Sequence, residues 1–181
     1  MRTKFTLILL VISLTTLLAQ PDQRIASTPK VNYDWLPGFV ITAELTGAYG
    51  LGLVHDDLSK YYYGFNATAG YQFSRNIKAG VGTGIQLHND GTLFPVYVDF
   101  QVNLNSQEWV PYISGAGGVM LDFDNLADET RVFINPLIGL RYIAANRTAV
   151  TLATGVMVTT GGPNARKSFL NFKLGIELKG K

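Results

Sequence analysis

The sequence predicts an all-β chain, an eight-stranded antiparallel up-and-down transmembrane β-barrel, and three observations carry that prediction. First, residues 61–74 alternate without a break. Tyr61, Tyr63, Phe65, Ala67, Ala69, Tyr71 and Phe73 share one parity, and Tyr62, Gly64, Asn66, Thr68, Gly70, Gln72 and Ser74 the other. A two-residue period puts the two sets on opposite faces of a strand, and no helix reads this way. Globular strands have about five or six residues, whereas crossing a bilayer takes about nine to eleven, so this run is long enough to cross. Second, the same grammar recurs to give eight strands after residue 38, an even number as in bacterial single-chain outer-membrane barrels. Third, only 15% of residues are charged and 19 are glycine, against about 25% charge in an ordinary soluble domain.

Two segments precede the first strand. Residues 1–19 read as a signal peptide: Arg2 and Lys4 make a basic start, 5–18 an apolar stretch, and 17–20 a cleavage region. The stretch is short and threonine-rich for a membrane helix. Residues 20–37 carry Pro21, Pro29 and Pro37 and are expected to form an extended periplasmic leader without structure of its own. The barrel domain then takes 38–181. The chain has no cysteine, which rules out lipoprotein attachment and disulfides. The formal net charge of +2 comes from scattered Lys and Arg with no basic run, so no nucleic acid partner is expected.

The first strand, 38–53, sets Phe39, Ile41, Ala43, Leu45, Tyr49 and Leu51 against Thr42, Glu44, Thr46, Ala48, Gly50 and Gly52. The second is 60–74. The third, 76–87, sets Ile77, Val81, Ile85 and Leu87 against Lys78, Gly80, Gly82, Gly84 and Gln86. The fourth, 93–105, sets Phe94, Val96, Val98, Phe100, Val102 and Leu104 against Asp99, Gln101 and Asn103. In the fifth, 109–123, Gly115, Gly117 and Gly118 dilute the parity and let the strand curve. The sixth, 130–144, sets Val132, Ile134, Ile138, Leu140 and Tyr142 against Asn135 and Arg141. The seventh, 147–160, presents Val150, Leu152, Val156 and Val158. The eighth, 168–179, sets Leu170, Phe172, Leu174, Ile176 and Leu178 against Asn171, Lys173, Gly175 and Glu177. The odd-numbered links (54–59, 88–92, 124–129 and 161–167) are the longer ones, and those at 74–76, 106–108 and 145–146 are tight. That alternation suits a barrel with both termini in the periplasm.

Alternation alone does not say which face meets lipid. A water-facing surface is rich in Lys and Glu, while a narrow lumen takes small residues and a few paired charges. The polar parity is of the second kind. Its mid-strand charges, Glu44, Asp99 and Glu177 against Lys78, Arg141 and Lys173, balance and are expected to form a lumen charge network. An unpaired charge there would cost several kcal/mol. The lumen is therefore expected to be plugged, its charges rigidifying the interior, with a proton or ion path as the alternative. The apolar rows contain no charge, as a lipid-facing surface demands. Trp35, Tyr61, Tyr63, Tyr71, Phe73 and Trp109 are expected at the membrane interfaces, both tryptophans at the periplasmic rim.

With this grammar, the phrases Pro111-Tyr112-Ile113-Ser114-Gly115-Ala116-Gly117 and 169–178 (FLNFKLGIEL), the chain resembles the small bacterial outer-membrane β-barrels of the OmpA/OmpX-like type over 38–181. The resemblance implies an outer-membrane location, contacts with outer-membrane lipids and lipopolysaccharide, insertion by the outer-membrane assembly machinery, and a protein partner of unknown kind. In that family the last strand commonly ends in an aromatic, whereas here Leu178 is followed by Lys179, Gly180 and Lys181. Some relatives are lipid-modifying enzymes with a His-based site at the outer rim. Here His55 and His88 are expected in the first two outer loops beside Asp56, Asp57, Ser59 and Asp90, without the His-x-Ser pair of a lipid A deacylase.

The expectation is therefore a monomeric, non-enzymatic barrel with a structural or interaction role, without catalytic residues, cofactor or metal site. A lipid A acyltransferase or deacylase is the alternative and a soluble lipocalin-like carrier with reversed faces the second. Gly80-x-Gly82-x-Gly84 lies within a strand and cannot cradle a phosphate. Pro136 falls inside strand six, where a missing N–H implies a bulge or a break in pairing, or else a lateral opening for a lipid chain.

Overall fold

The computed structural model describes residues 32–52, 60–89, 91–122, 130–160 and 166–180. Residues 1–31, which include the signal-peptide and most of the leader expectations, lie outside them, as do His55, Asp56, Asp57, Ser59 and Asp90. The eight strands are β1 (Gly38–Gly50), β2 (Tyr61–Gln72), β3 (Ile77–His88), β4 (Gly91–Asn103), β5 (Trp109–Leu121), β6 (Arg131–Ala145), β7 (Thr148–Thr160) and β8 (Lys167–Lys179). Each pairs antiparallel with its neighbour in sequence, and β8 pairs with β1 to close the barrel. Closure leaves no free edge.

The register sets the tilt. From Gly38 the paired residues run through Gln72, Lys78, Gln101, Ser114, Leu137, Gly155 and Asn171, and return to β1 at Ala48, ten positions further on. A stagger of that size over eight strands corresponds to a tilt of about 40°. Strands of 12 to 15 residues then rise roughly 30 Å or more along the axis, enough to carry an apolar band about 25 Å tall.

The facing is that of a membrane protein. Val98 is 64% exposed, Leu174 53% and Phe65 49%, whereas Lys78 and Lys173 are buried in the lumen and Asp99 faces it. No outward position of the eight strands carries Asp, Glu, Lys or Arg. Aromatics gather toward both ends of this surface. Tyr49 pairs with Tyr61 near the long loops, and near the short turns Tyr71 packs edge-on against Phe39 and Phe73, both at 5.2 Å, while Trp109 meets Tyr142 at 4.6 Å. The soluble lipocalin-like alternative needs the opposite facing and is overturned.

Four expectations change. The third link is not a longer loop: His88 pairs with Gly91, leaving the two-residue connection 89–90, so strand four begins at Gly91 and not at residue 93. His88 is consequently not in an outer loop. It is the last residue of β3, buried in the lumen, with its ring 5.0 Å from Tyr62 and 5.7 Å from Phe169. Pro136 carries no bulge, since the β6–β7 pairs flanking it, Ile134 with Val158 and Leu137 with Gly155, keep one register, and the shift falls instead between Ile143 and Ala145; the expected break in pairing is there, as the ladder to β7 skips Asn135 and Pro136. Pro136 points outward opposite Gly115, its inward neighbours Asn135, Leu137 and Met157 are all buried, and the enclosed space that Leu137 borders is about 20 Å³, too small for the lipid chain that a lateral opening would admit. Finally, the lumen is not polar throughout. Toward the long loops Tyr62, Leu93, Met120, Phe133, Met157 and Phe169 form a buried apolar layer.

Two tyrosines cover interior glycines of the adjacent strand. A Cβ at Gly82 would lie 2.3 Å from the Tyr97 ring, and one at Gly139 would lie 2.3 Å from the Tyr112 ring. These are cross-strand pairs, so the close approach is part of the wall's packing. Gly139→Val is expected to destabilise the barrel by about 1–3 kcal/mol through overpacking, read as a lower urea midpoint of the folded form in detergent. Tyr112→Ala in the same background should recover part of the loss, and a Gly139→Val midpoint equal to that of the parent would contradict the packing.

Candidate functional site in the lumen

The period of two turns Lys173, Glu177 and Lys179 of β8 inward, and the ten-residue stagger brings distant strands to meet them. Glu177, fully buried, is the centre. Its Oε2 accepts from Lys78 Nζ of β3 at 2.6 Å, and its Oε1 accepts from Arg141 Nη2 of β6 and from the Tyr33 hydroxyl at 3.1 Å. Arg141 Nη2 also donates to the Tyr33 hydroxyl, and its guanidinium carbon stands 4.4 Å from the Tyr33 ring centre and 5.5 Å from that of Trp35. Higher in the lumen, Lys173 Nζ donates to Glu44 Oε2 at 3.0 Å. Asp99 shares a cavity with Glu44, Lys78 and Lys173, of about 20 Å³, room for one water. Above it Asn171 Nδ2 donates to Asn135 Oδ1 at 2.9 Å, and the apolar layer follows.

All six charges expected in the lumen are there, but they are not paired one to one. Glu177 holds two cations, Glu44 holds one, and Asp99 makes no direct ion pair among the described residues. The interior also has charges the alternation did not single out: Arg131 and Asp122 are buried near the long loops, and Lys179 near the short turns.

The segment 32–37 was also missed. It has no regular secondary structure, yet it is docked in the mouth of the barrel at the short-turn end. Tyr33 packs with Val110, Ile143 and Ala149, and Trp35 lies against them, 5.0 Å from the Tyr33 ring. Trp35 is thus a half-buried part of the mouth, a correction to its expected place in the outer girdle, while Trp109 is exposed on the outer face. Asp34 accepts from the Leu36 N–H at 3.1 Å and lies 3.4 Å from Lys179 Nζ and 3.5 Å from Arg147 Nε. The Leu36 N–H and the two cations hold its carboxyl below the usual range. Burial, with Glu177 close by, raises the Tyr33 hydroxyl above its ordinary value. No sequence signal marks Tyr33, which sits in a proline-bounded polar stretch without alternation.

Among the described residues no group of His, Asp and Glu could hold a metal ion. What the arrangement can do is hold a closed sheet rigid from within by hydrogen-bonded ion pairs, while the outer surface dissolves in hydrocarbon.

A closed up-and-down sheet with a charge-free apolar exterior and an ion-paired interior defines a small transmembrane β-barrel. No family model matches the chain, and no curated protein matches it by sequence. Among solved structures, the chain is similar to Neisserial surface protein A at 16% identity and a TM-score of 0.56, over 79% of this chain and 97% of that one. Matches also include the N-terminal β-barrel domain of Pseudomonas aeruginosa OprF, at 13% identity and a TM-score of 0.48 over 79% and 100% of the two chains. The attachment invasion locus protein of Yersinia pestis follows at 11% and 0.44, over 80% and 97%. At these identities the likeness is one of fold.

Proposed function

We propose that the chain is a non-enzymatic, monomeric integral protein of the bacterial outer membrane, with a closed, ion-paired lumen and a structural or interaction role. Its partners in this reading are membrane lipids and lipopolysaccharide outside the barrel, the assembly machinery during insertion, and a protein partner at the loops. One observation carries it: every outward strand position is uncharged while Glu177, Lys78 and Arg141 lie together inside. Such an object is stable only with hydrocarbon around it. The signal-peptide pattern of residues 1–19 supports export, and the surface protein similar in fold supports the compartment.

The lipid-modifying alternative loses support because His88 is buried in the lumen, in one ring cluster with Tyr62 and Phe169. The expected result is that the protein sediments with outer membranes, needs detergent for release, and gives no steady conductance in a planar bilayer. Recovery from the periplasm without detergent would refute the location, and a stable ohmic current would refute the closed lumen. Mass spectra of lipid A with and without the protein are expected to coincide; a change in acylation would refute the non-enzymatic reading.

A further inference from the structure

We propose that residues 32–37 are a latch: this segment, and not a narrowing of the barrel wall, seals the short-turn end of the lumen over the Lys78–Glu177–Arg141 cluster. The inference rests on the closed interior proposed above and assigns one of its two seals. The other is the apolar layer of Tyr62, Leu93, Met120, Phe133, Met157 and Phe169.

The segment is held from all around the mouth. Asp34 N–H donates to the Asn146 carbonyl of the β6–β7 turn at 2.9 Å, and Gln72 Nε2 at the end of β2 donates to the Trp35 carbonyl at 3.1 Å. Lys179 Nζ at the end of β8 donates to the carbonyls of Asp34, at 2.5 Å, and of Leu36. Tyr33 covers Val110 of β5, Ile143 of β6 and Ala149 of β7. An Asx turn closed by Leu36 N–H on Asp34 folds the chain back over the opening before β1 begins.

These contacts have two consequences. Val110 and Ala149, both 0% exposed at the lumen's end, owe part of their shelter to Tyr33. Tyr33 is also a ligand of the buried ion cluster through Glu177 and Arg141. With the segment gone, Arg147 and Lys179 would lose the carboxylate they share, that of Asp34, so the latch also supplies a counter-charge to the cations at the mouth. The segment directly precedes β1 yet is gripped by Lys179 of β8, so it spans the seam where the first and last strands close the barrel.

The absence of native cysteine gives a clean test. In Ala149→Cys protein, refolded as the full chain in detergent, a water-soluble methanethiosulfonate is expected to react slowly. Adding Tyr33→Gly and Trp35→Gly should speed the reaction at least about tenfold, since a buried thiol reacts only through local opening. Slow reaction in both proteins would overturn the latch while leaving the closed interior intact. Fast reaction in both would overturn the latch and the closed interior together.

Should the double glycine variant fail to fold, the single-tryptophan variant Trp109→Phe gives an independent reading. Trp35 emission should be less quenched by acrylamide in the folded protein than in urea, and Lys179→Met should raise that quenching several-fold. Equal quenching in folded and unfolded protein, or no response to Lys179→Met, would overturn the latch.

Discussion

Replacing Glu177 with glutamine is expected to cost the barrel about 3–5 kcal/mol, because it leaves two buried cations, Lys78 and Arg141, without their shared carboxylate. The side chains of Glu177 and Arg141 are 0% and 1% exposed, so little water is at hand to replace what is lost. The measurement is urea unfolding in detergent, followed by gel mobility of the folded form. Lys78→Met alone should cost much less, since Glu177 keeps Arg141 and Tyr33 as partners. Combining Lys78→Met with Glu177→Gln should recover part of the single-variant loss, because one of the stranded cations is then gone; contacts in one network are not additive. A Glu177→Gln loss below about 1 kcal/mol, the range of an exposed pair, would mean that the cluster is hydrated and the lumen open to water.

The second large effect is expected on the opposite face. Val98 lies mid-strand in β4, 64% exposed, between Val81 and Gly117 on the neighbouring strands. Val98→Arg should cost about 2–4 kcal/mol for a barrel refolded into lipid vesicles, whereas the same change at Leu104, just beyond β4 at the short-turn end, should cost about 0–1 kcal/mol. Depth dependence is the signature of a bilayer. On a soluble protein an arginine at an exposed valine is nearly neutral at either place. Equal, small effects at Val98 and Leu104 would therefore remove the membrane reading, independently of anything in the lumen.

Most of the fold was legible because β-strand facing is a local property. A period of two assigns each side chain to a face before any partner strand is known, so Leu45, Val98 and Leu174 could be set outward and Lys78, Arg141 and Glu177 inward from their own neighbours. Strand ends were less legible, and the β3–β4 connection shows why: Asn89 and Asp90 read as part of a polar loop, but His88 and Gly91 on either side continue the ladder. The apolar layer escaped for a related reason. Leu93, Met120, Phe133, Met157 and Phe169 come one from each of five strands, near its long-loop end, and look like isolated departures from otherwise small or polar rows.

The sequence by itself determined the strand count, the antiparallel meander, the facing of each row and the six charges of the interior, because these follow from alternation and from the cost of a charge in hydrocarbon. Only the tertiary structure decided who meets whom. The ten-residue stagger of the closed sheet brings Lys78 to Glu177 and Lys173 to Glu44, leaves Asp99 facing a cavity, and stacks the apolar residues of separate strands into one layer. It also gave Tyr33 and Trp35 a mouth to enter, a role with no local signature, because what fixes them is the end of a barrel assembled from strands that lie far from them in sequence.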